Sequence, residues 1–214
     1  MAMVPKLNTT RFDTELPFKV AAPFEPMGDQ PQAIADLAGG IENGMTAQVL
    51  LGATGTGKTE VFLHAAEQVL KDGKGVIYLV PEIGLTKQVT DSVVKRFGDA
   101  AAVLHSGLTA GKRLAEWKKI LHKKARIVIG ARSAVFAPVP DLGLIIIDEE
   151  HDPSYKSGNT PRYHARQAAM YRASQLGIPL VMGSATPSVE AWHLMETGTL
   201  VRHTLTERLA GGAM

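Results

Sequence analysis

Val49-Leu50-Leu51-Gly52-Ala53-Thr54-Gly55-Thr56-Gly57-Lys58-Thr59-Glu60-Val61-Phe62-Leu63 reads as an apolar strand, a glycine-rich turn and the start of a helix. Its centre, GATGTGKT at residues 52–59, has a glycine, four intervening residues and then Gly-Lys-Thr. That spacing suits a loop whose backbone N–H groups wrap phosphate oxygens, since glycines at Gly52, Gly55 and Gly57 leave room for close approach. Thr54 and Thr56 lie within the wrap. Lys58 is placed to reach the outer phosphates and Thr59 to bind Mg²⁺, with the positive end of the following helix aimed at the anion. The alternative is a glycine-rich turn with no ligand. The strand before the loop and the helix after it favour the phosphate-binding reading.

Outward from this loop, from Pro31 on, helical patterns alternate with short β-rich runs at 48–51, 75–80, 101–104, 126–129, 144–147, 180–182 and 200–204. Such alternation predicts an α/β domain with a mostly parallel sheet and helices on both faces. Leu144-Ile145-Ile146-Ile147 is apolar without alternation, as a strand covered on both sides should be. The loop at 52–59, Pro81-Glu82, Gly130-Ala131-Arg132, Asp148-Glu149 and Gly183-Ser184 all follow such runs. Open α/β sheets bind ligands at that edge. Residues 1–22 show no clear periodicity and read as an N-terminal arm; 23–208 read as the folded domain and 209–214 as the start of a linker.

The chain has 214 residues, 45% hydrophobic and 21% charged, an ordinary globular composition. It lacks cysteine, which excludes disulfides and thiolate zinc sites, and its seven histidines are scattered rather than spaced as ligand pairs. Any metal is therefore expected to arrive with a nucleotide. No apolar run approaches the roughly 18 residues of a membrane span, and the start lacks the apolar core of a secretory signal, so a cytoplasmic protein without a membrane partner is expected. A net charge of +2 is too mild to announce a nucleic-acid partner by itself.

Asp148-Glu149-Glu150-His151 closes the most hydrophobic strand. Asp148 there would hold Mg²⁺, and Glu149 could orient and deprotonate a water attacking the terminal phosphate. Solvated turn residues are the alternative, and the nearby phosphate loop disfavours it. His151 is a further candidate in the cluster.

These motifs, together with PEIGLT at 81–86, IVIGARSAVFAP at 127–138, RYHARQAAMYRA at 162–173 and GSATPS at 183–188, resemble the first motor domain of superfamily 2 helicases. In detail they are similar to the primosomal protein N-prime family of replication-restart helicases, from about residue 59 to 208. The resemblance implies a RecA-like P-loop fold, ATP and Mg²⁺ as cofactors, DNA as partner, and coupling of ATP hydrolysis to strand movement. It puts residues 81–86, 130–133 and 183–186, with Arg132, Ser133, Ser184 and Thr186 among them, along the DNA track or between that track and the nucleotide. A turn capping a helix that begins near Pro187 is the alternative for Ser184 and Thr186. Arg162 and Tyr163 fall where that family senses single-stranded DNA through an aromatic-rich segment, although a packed Tyr163 fits as well. Pro161 and Gln167 depart from the family pattern at positions where tryptophan and aspartate are usual.

The front segment at 17–59, with PFKV at 17–20 and PFEPMGDQPQAIADL at 23–37 and continuing through TAQVLLGATGTGKT at 46–59, instead resembles the opening of the helicase-like family of DNA-repair excinuclease proteins. That resemblance implies that Phe24 stacks on adenine and Gln30 reads its edge, and it raises a repair ATPase or a hybrid chain without autonomous activity as alternatives. Asp29 could equally cap a helix. The basic run Lys112, Arg113, Lys118, Lys119, Lys123 and Lys124 could follow a phosphate backbone, or form a solvated helix face with Trp117 and Leu121 turned inward. Helicases of this class also draw an arginine from a second motor domain to stabilise charge on the transferring phosphate. No residue here matches it, so a second motor domain is an expected partner and weak turnover by this chain alone is expected.

Overall fold

The computed structural model describes residues 25–85 and 87–208. Phe24 and Thr86, the arm at 1–22 and the segment at 209–214 lie outside them. The described residues contain seven strands: β1 (Ala47–Gly52), β2 (Gly75–Leu79), β3 (Ala101–Leu104), β4 (Ile127–Gly130), β5 (Leu142–Ile147), β6 (Leu180–Ser184) and β7 (Val201–Leu205). They form one sheet in the order β3-β4-β2-β5-β6-β1-β7, and every neighbouring pair is parallel. Six α-helices, α1 (Gln30–Glu42), α2 (Lys58–Lys71), α3 (Lys87–Phe97), α4 (Ala110–Leu121), α5 (Ala165–Leu176) and α6 (Val189–Glu196), connect and cover the strands.

The unbroken apolar strands are explained by cores on both faces. In β2, Ile77 and Leu79 enter one cluster with Ile120 of α4, Ala165, Ala169 and Ala173 of α5, and Ala191 of α6. Val76 and Tyr78 enter the other, with Ala33 and Leu37 of α1, much of α2, and Val93 and Phe97 of α3. Successive residues of a strand point to opposite faces, so a sheet covered twice needs apolar residues at every position. Burying a side chain such as Phe62 or Leu50 contributes roughly 1.5–3 kcal/mol. In α2, Val61, Phe62, Ala65, Ala66, Val69 and Leu70 form the buried stripe, while Glu60 in its first turn and Lys71 in its last suit the helix dipole.

β1 gains one residue at each end over its expected run, and two further strands lengthen at one end. β5 starts at Leu142, and β6 continues to Ser184. Gly183 extends the second because a Cβ there would sit 2.8 Å from Cε2 of Phe62, so the helix packs on a strand only glycine can supply. Three other expectations are corrected. α6 begins at Val189 with Ser188 as its cap, the side chain accepting from Ala191 N at 3.1 Å, so neither Ser184 nor Thr186 caps it. Asp29 precedes α1 but makes no side-chain cap. On α4, Trp117 packs inward with Ile120, one turn on, whereas Leu121, the last helical residue, is 54% exposed.

Register fixes where the loops meet. Leu79 pairs with Ile147, Ile147 with Met182, and Leu51 with Ser184, which brings the ends of β2, β5, β6 and β1 level. The phosphate loop, Asp148 and Ser184 therefore leave one edge of three adjacent strands. Among the described residues, no helix is long and apolar enough to cross a membrane.

Candidate functional site

Gly52 ends β1 and Gly57, at φ 79°, turns the chain into α2. Between them the loop is held by its own groups: Thr56 N and Thr56 Oγ1 both donate to the Ala53 carbonyl, at 3.2 and 2.8 Å. Thr54 and Gly55 are exposed at the tip and Thr56 is buried. Lys58 begins α2 with its side chain buried; Nζ donates to the Gly52 carbonyl at 2.6 Å and lies 3.3 Å from Glu149 Oε1. A buried ammonium at the mouth of a glycine-rich loop, beside an acidic pair, is a donor set that fits a Mg²⁺-bound polyphosphate.

Asp148 leaves β5 and its carboxylate is fixed on both oxygens. Oδ1 accepts from Glu149 N at 2.9 Å and Oδ2 from the Tyr78 hydroxyl at 3.1 Å. The Thr59 side chain acts on the same phenol, lowering its pKa against the larger effect of burial, so Tyr78 stands between Thr59 and Asp148. Burial, and then the charge of Glu149, push the Asp148 carboxyl up to about 6. Burial raises the Tyr78 hydroxyl well above its ordinary range, which keeps it neutral. Tyr155, fully buried, donates to the Asp148 carbonyl at 2.6 Å.

Glu149 has φ 45°, a left-handed conformation that a bulky residue seldom adopts. This turn aims its carboxylate at Lys58, with Oε2 3.4 Å from the donating Ala185 N and 3.6 Å from His151 Nδ1. His151 Nδ1 in turn is 2.7 Å from Ser184 Oγ, which also accepts from Thr186 N at 3.1 Å. The acidic motif and the GSAT segment are thus joined side chain to side chain.

Glu150 is buried and faces away from this cluster. Its Oε2 accepts from Arg166 Nη1 at 2.6 Å and Ser188 Oγ at 2.9 Å, while Oε1 accepts from Ser188 N at 2.7 Å. It ties the end of β5 to the starts of α5 and α6. Gln30, also buried, donates through Nε2 to the Thr56 and Gly57 carbonyls at 3.4 and 3.2 Å, and its Oε1 accepts from Met27 N at 3.0 Å. Its amide braces the phosphate loop.

Other candidates lie apart from the nucleotide cluster. Arg132 donates to the Ser154 and Lys156 carbonyls at 2.9 and 2.8 Å, and its guanidinium sits 5.9 Å from the Tyr163 ring centre. Tyr163 also meets Phe136 edge to face with ring centres 5.0 Å apart, so it is packed. Ser133, Arg162 and Thr186 are exposed. On the basic segment, Lys119 pairs with Glu116 and Lys123 with Asp141, as a solvated helix face and its exit would. Sequence reasoning missed Tyr78, Tyr155, Arg166 and Ser188 as supports, because their partners lie on other elements and leave no spacing signal; the doubled glutamate was the trace of a structural partner beside Glu149.

The DEAD/DEAH box helicase family model matches residues 28–193. Replication restart protein PriA of Treponema pallidum (strain Nichols) is 58% identical over 186 residues, covering 87% of this chain and 28% of that protein. The Bacillus subtilis (strain 168) protein of the same name is 49% identical over 161 residues, covering 75% and 20%. The chain thus spans under a third of the length of these relatives. Among solved structures, the Pyrococcus furiosus Hef helicase domain superposes with a TM-score of 0.60 at 20% identity, over 85% of this chain and 38% of that one, a likeness of fold. Because the family match starts ahead of the phosphate loop and runs beyond the Asp148-Glu149 turn into α6, the chain belongs to the DEAD/DEAH box helicase family.

Proposed function

We propose that this chain is the ATP-binding first motor domain of a DNA helicase of the replication-restart type, occupying residues 23–208 between an arm at 1–22 and a linker from 209. The observation that carries the reading is the convergence of Lys58, Glu149 and the Tyr78-bound Asp148 at one sheet edge. Lys58 and the backbone of residues 52–59 bind the phosphates. Thr59 and Asp148 would hold Mg²⁺, which supplies charge neutralisation at the phosphate oxygens when bound. Glu149, turned toward Lys58, orients water and accepts its proton. His151 connects this pair to Ser184 and Thr186.

DNA is the proposed partner, with backbone contacts from exposed Ser133, Thr186 and Arg162 and from the segment that Arg132 and Tyr163 shape. A second motor domain, also a partner, would bring the charge-stabilising arginine. The proposed setting is the cytoplasm. Gln30 serves the nucleotide through its brace on the loop carbonyls. An adenine contact by Gln30 and Phe24, and a hybrid origin of the chain, rest on the front segment's resemblance to the DNA-repair excinuclease family. A relative matching 87% of the chain supports one continuous origin across the loop.

The test is steady-state ATP hydrolysis by the chain, with and without single-stranded DNA, before and after the downstream portion of a restart helicase is added in trans. Turnover that is low alone and rises when both are supplied is expected. Turnover that neither addition changes would refute the motor-domain assignment.

A further inference from the structure

Beside the phosphate loop, Asp29 and Gln30 face two different segments. Gln30 donates to the Thr56 and Gly57 carbonyls. Asp29 Oδ2 accepts three hydrogen bonds from the segment leaving β7: from Thr206 N at 2.7 Å, Thr206 Oγ1 at 2.6 Å and Glu207 N at 3.0 Å. Gly28 makes the approach possible. Its φ is +57°, and a Cβ there would lie 2.7 Å from Oε2 of Glu207. The same segment starts beside the loop, since Leu205 pairs with Gly52. Lower down, β7 is tied to the body by His203 Nε2, 2.9 Å from Oε1 of the buried Gln48, a residue that also donates to the Leu37 carbonyl.

We infer that Asp29-Gln30 is a relay: Gln30 follows the phosphate loop, and Asp29 sets how firmly residues 206–207 are held, so nucleotide binding and this exit segment are coupled. Asp29 and Gln30 are adjacent, at the entry to a helix stiffened by Pro31. A shift of the Thr56 and Gly57 carbonyls moves the Gln30 amide, and the neighbouring carboxylate moves with it. Residues 206–207 lead toward the proposed linker at 209–214, so the relay carries the state of the nucleotide site to whatever that linker joins. The inference rests on the proposed nucleotide reading of the loop.

The two readings separate in one set of measurements on the 214-residue chain. NMR hydrogen exchange reads the Thr206 and Glu207 amides with and without ATP·Mg²⁺, and calorimetry gives ATP affinity. ATP·Mg²⁺ should slow both amides about 5-fold, and by reciprocity Asp29→Ala should weaken ATP binding by the same factor while its residual binding no longer changes their exchange. Thr206→Val, which removes one donor, should weaken binding less in the same direction, and carries the test if Asp29→Ala does not fold. A residue that only stabilised the fold would leave the ATP-dependent exchange ratio unchanged. Wild-type chain that binds ATP with no change at 206–207, or variants within twofold of wild-type affinity, would overturn the relay alone. Wild-type chain that does not bind ATP would overturn both readings.

Discussion

Replacing Asp148 by asparagine should stabilise the ligand-free chain at neutral pH. The wild-type carboxyl is pushed from 3.8 up to about 6 by burial and by Glu149. A difference of one unit between folded and unfolded states is about 1.4 kcal/mol, so the full gap corresponds to about 3 kcal/mol above pH 6. Partial solvent access to the carboxylate reduces the expected gain to about 1.5–3 kcal/mol. Asparagine can still make both contacts, because its oxygen can accept from Glu149 N and its amide can donate to the Tyr78 oxygen, reversing the wild-type direction of that bond. Between pH of about 4 and 6 the folded chain binds this proton more tightly than the unfolded chain. Asp148 therefore makes stability fall as pH rises through that window and level off above it. Urea unfolding of both proteins from pH 4 to 8 isolates this residue in the difference curve. The asparagine variant should gain on wild type up to pH of about 6 and then run parallel. A variant less stable than wild type at pH 7, or a flat difference curve, would show that burial does not hold the Asp148 proton in the folded chain.

Glu149→Gln should leave ATP affinity within a fewfold and lower hydrolysis about 100-fold or more in the assembled motor, measured by single-turnover kinetics, because the amide cannot accept the water's proton. Glu150→Ala should destabilise the chain by about 3 kcal/mol or more in urea unfolding, since buried Arg166 would keep as carboxylate partner only the exposed Glu190, 3.5 Å away. Gly183→Ala should cost about 1–3 kcal/mol by thermal unfolding, since the added methyl displaces Phe62, which packs edge to face on Tyr78.

The sheet was legible because its signal is physical and local. A strand buried on both faces must be apolar throughout, and runs such as Leu144-Ile145-Ile146-Ile147 have no other economical use. The ends were less legible where glycine interrupted a run: Gly143 and Gly183 sit inside strands because helical or loop side chains press on them. The glycine-rich loop at 52–59 and the Asp148-Glu149 turn could be placed at one sheet edge from sequence, as each follows an apolar strand run. What spacing could not reveal was long-range pairing. Tyr78 reaches Asp148 across 70 positions and Asp29 reaches Thr206 across 177, and neither contact leaves a local pattern. A helix cap is the local alternative for Asp29 beside Pro31, yet its carboxylate is held by three donors from the far end of the fold. Those same bonds keep its carboxyl below the ordinary aspartate range.

The central claim is that residues 52–59 bind a nucleoside triphosphate through Lys58. Calorimetric titration of ATP·Mg²⁺ into the wild-type chain and into Lys58→Ala, each checked for folding by circular dichroism, tests it most directly. Saturable binding to the wild type and none to the folded variant is the predicted result. Equal affinity of the two, or no binding to the wild type, would contradict it.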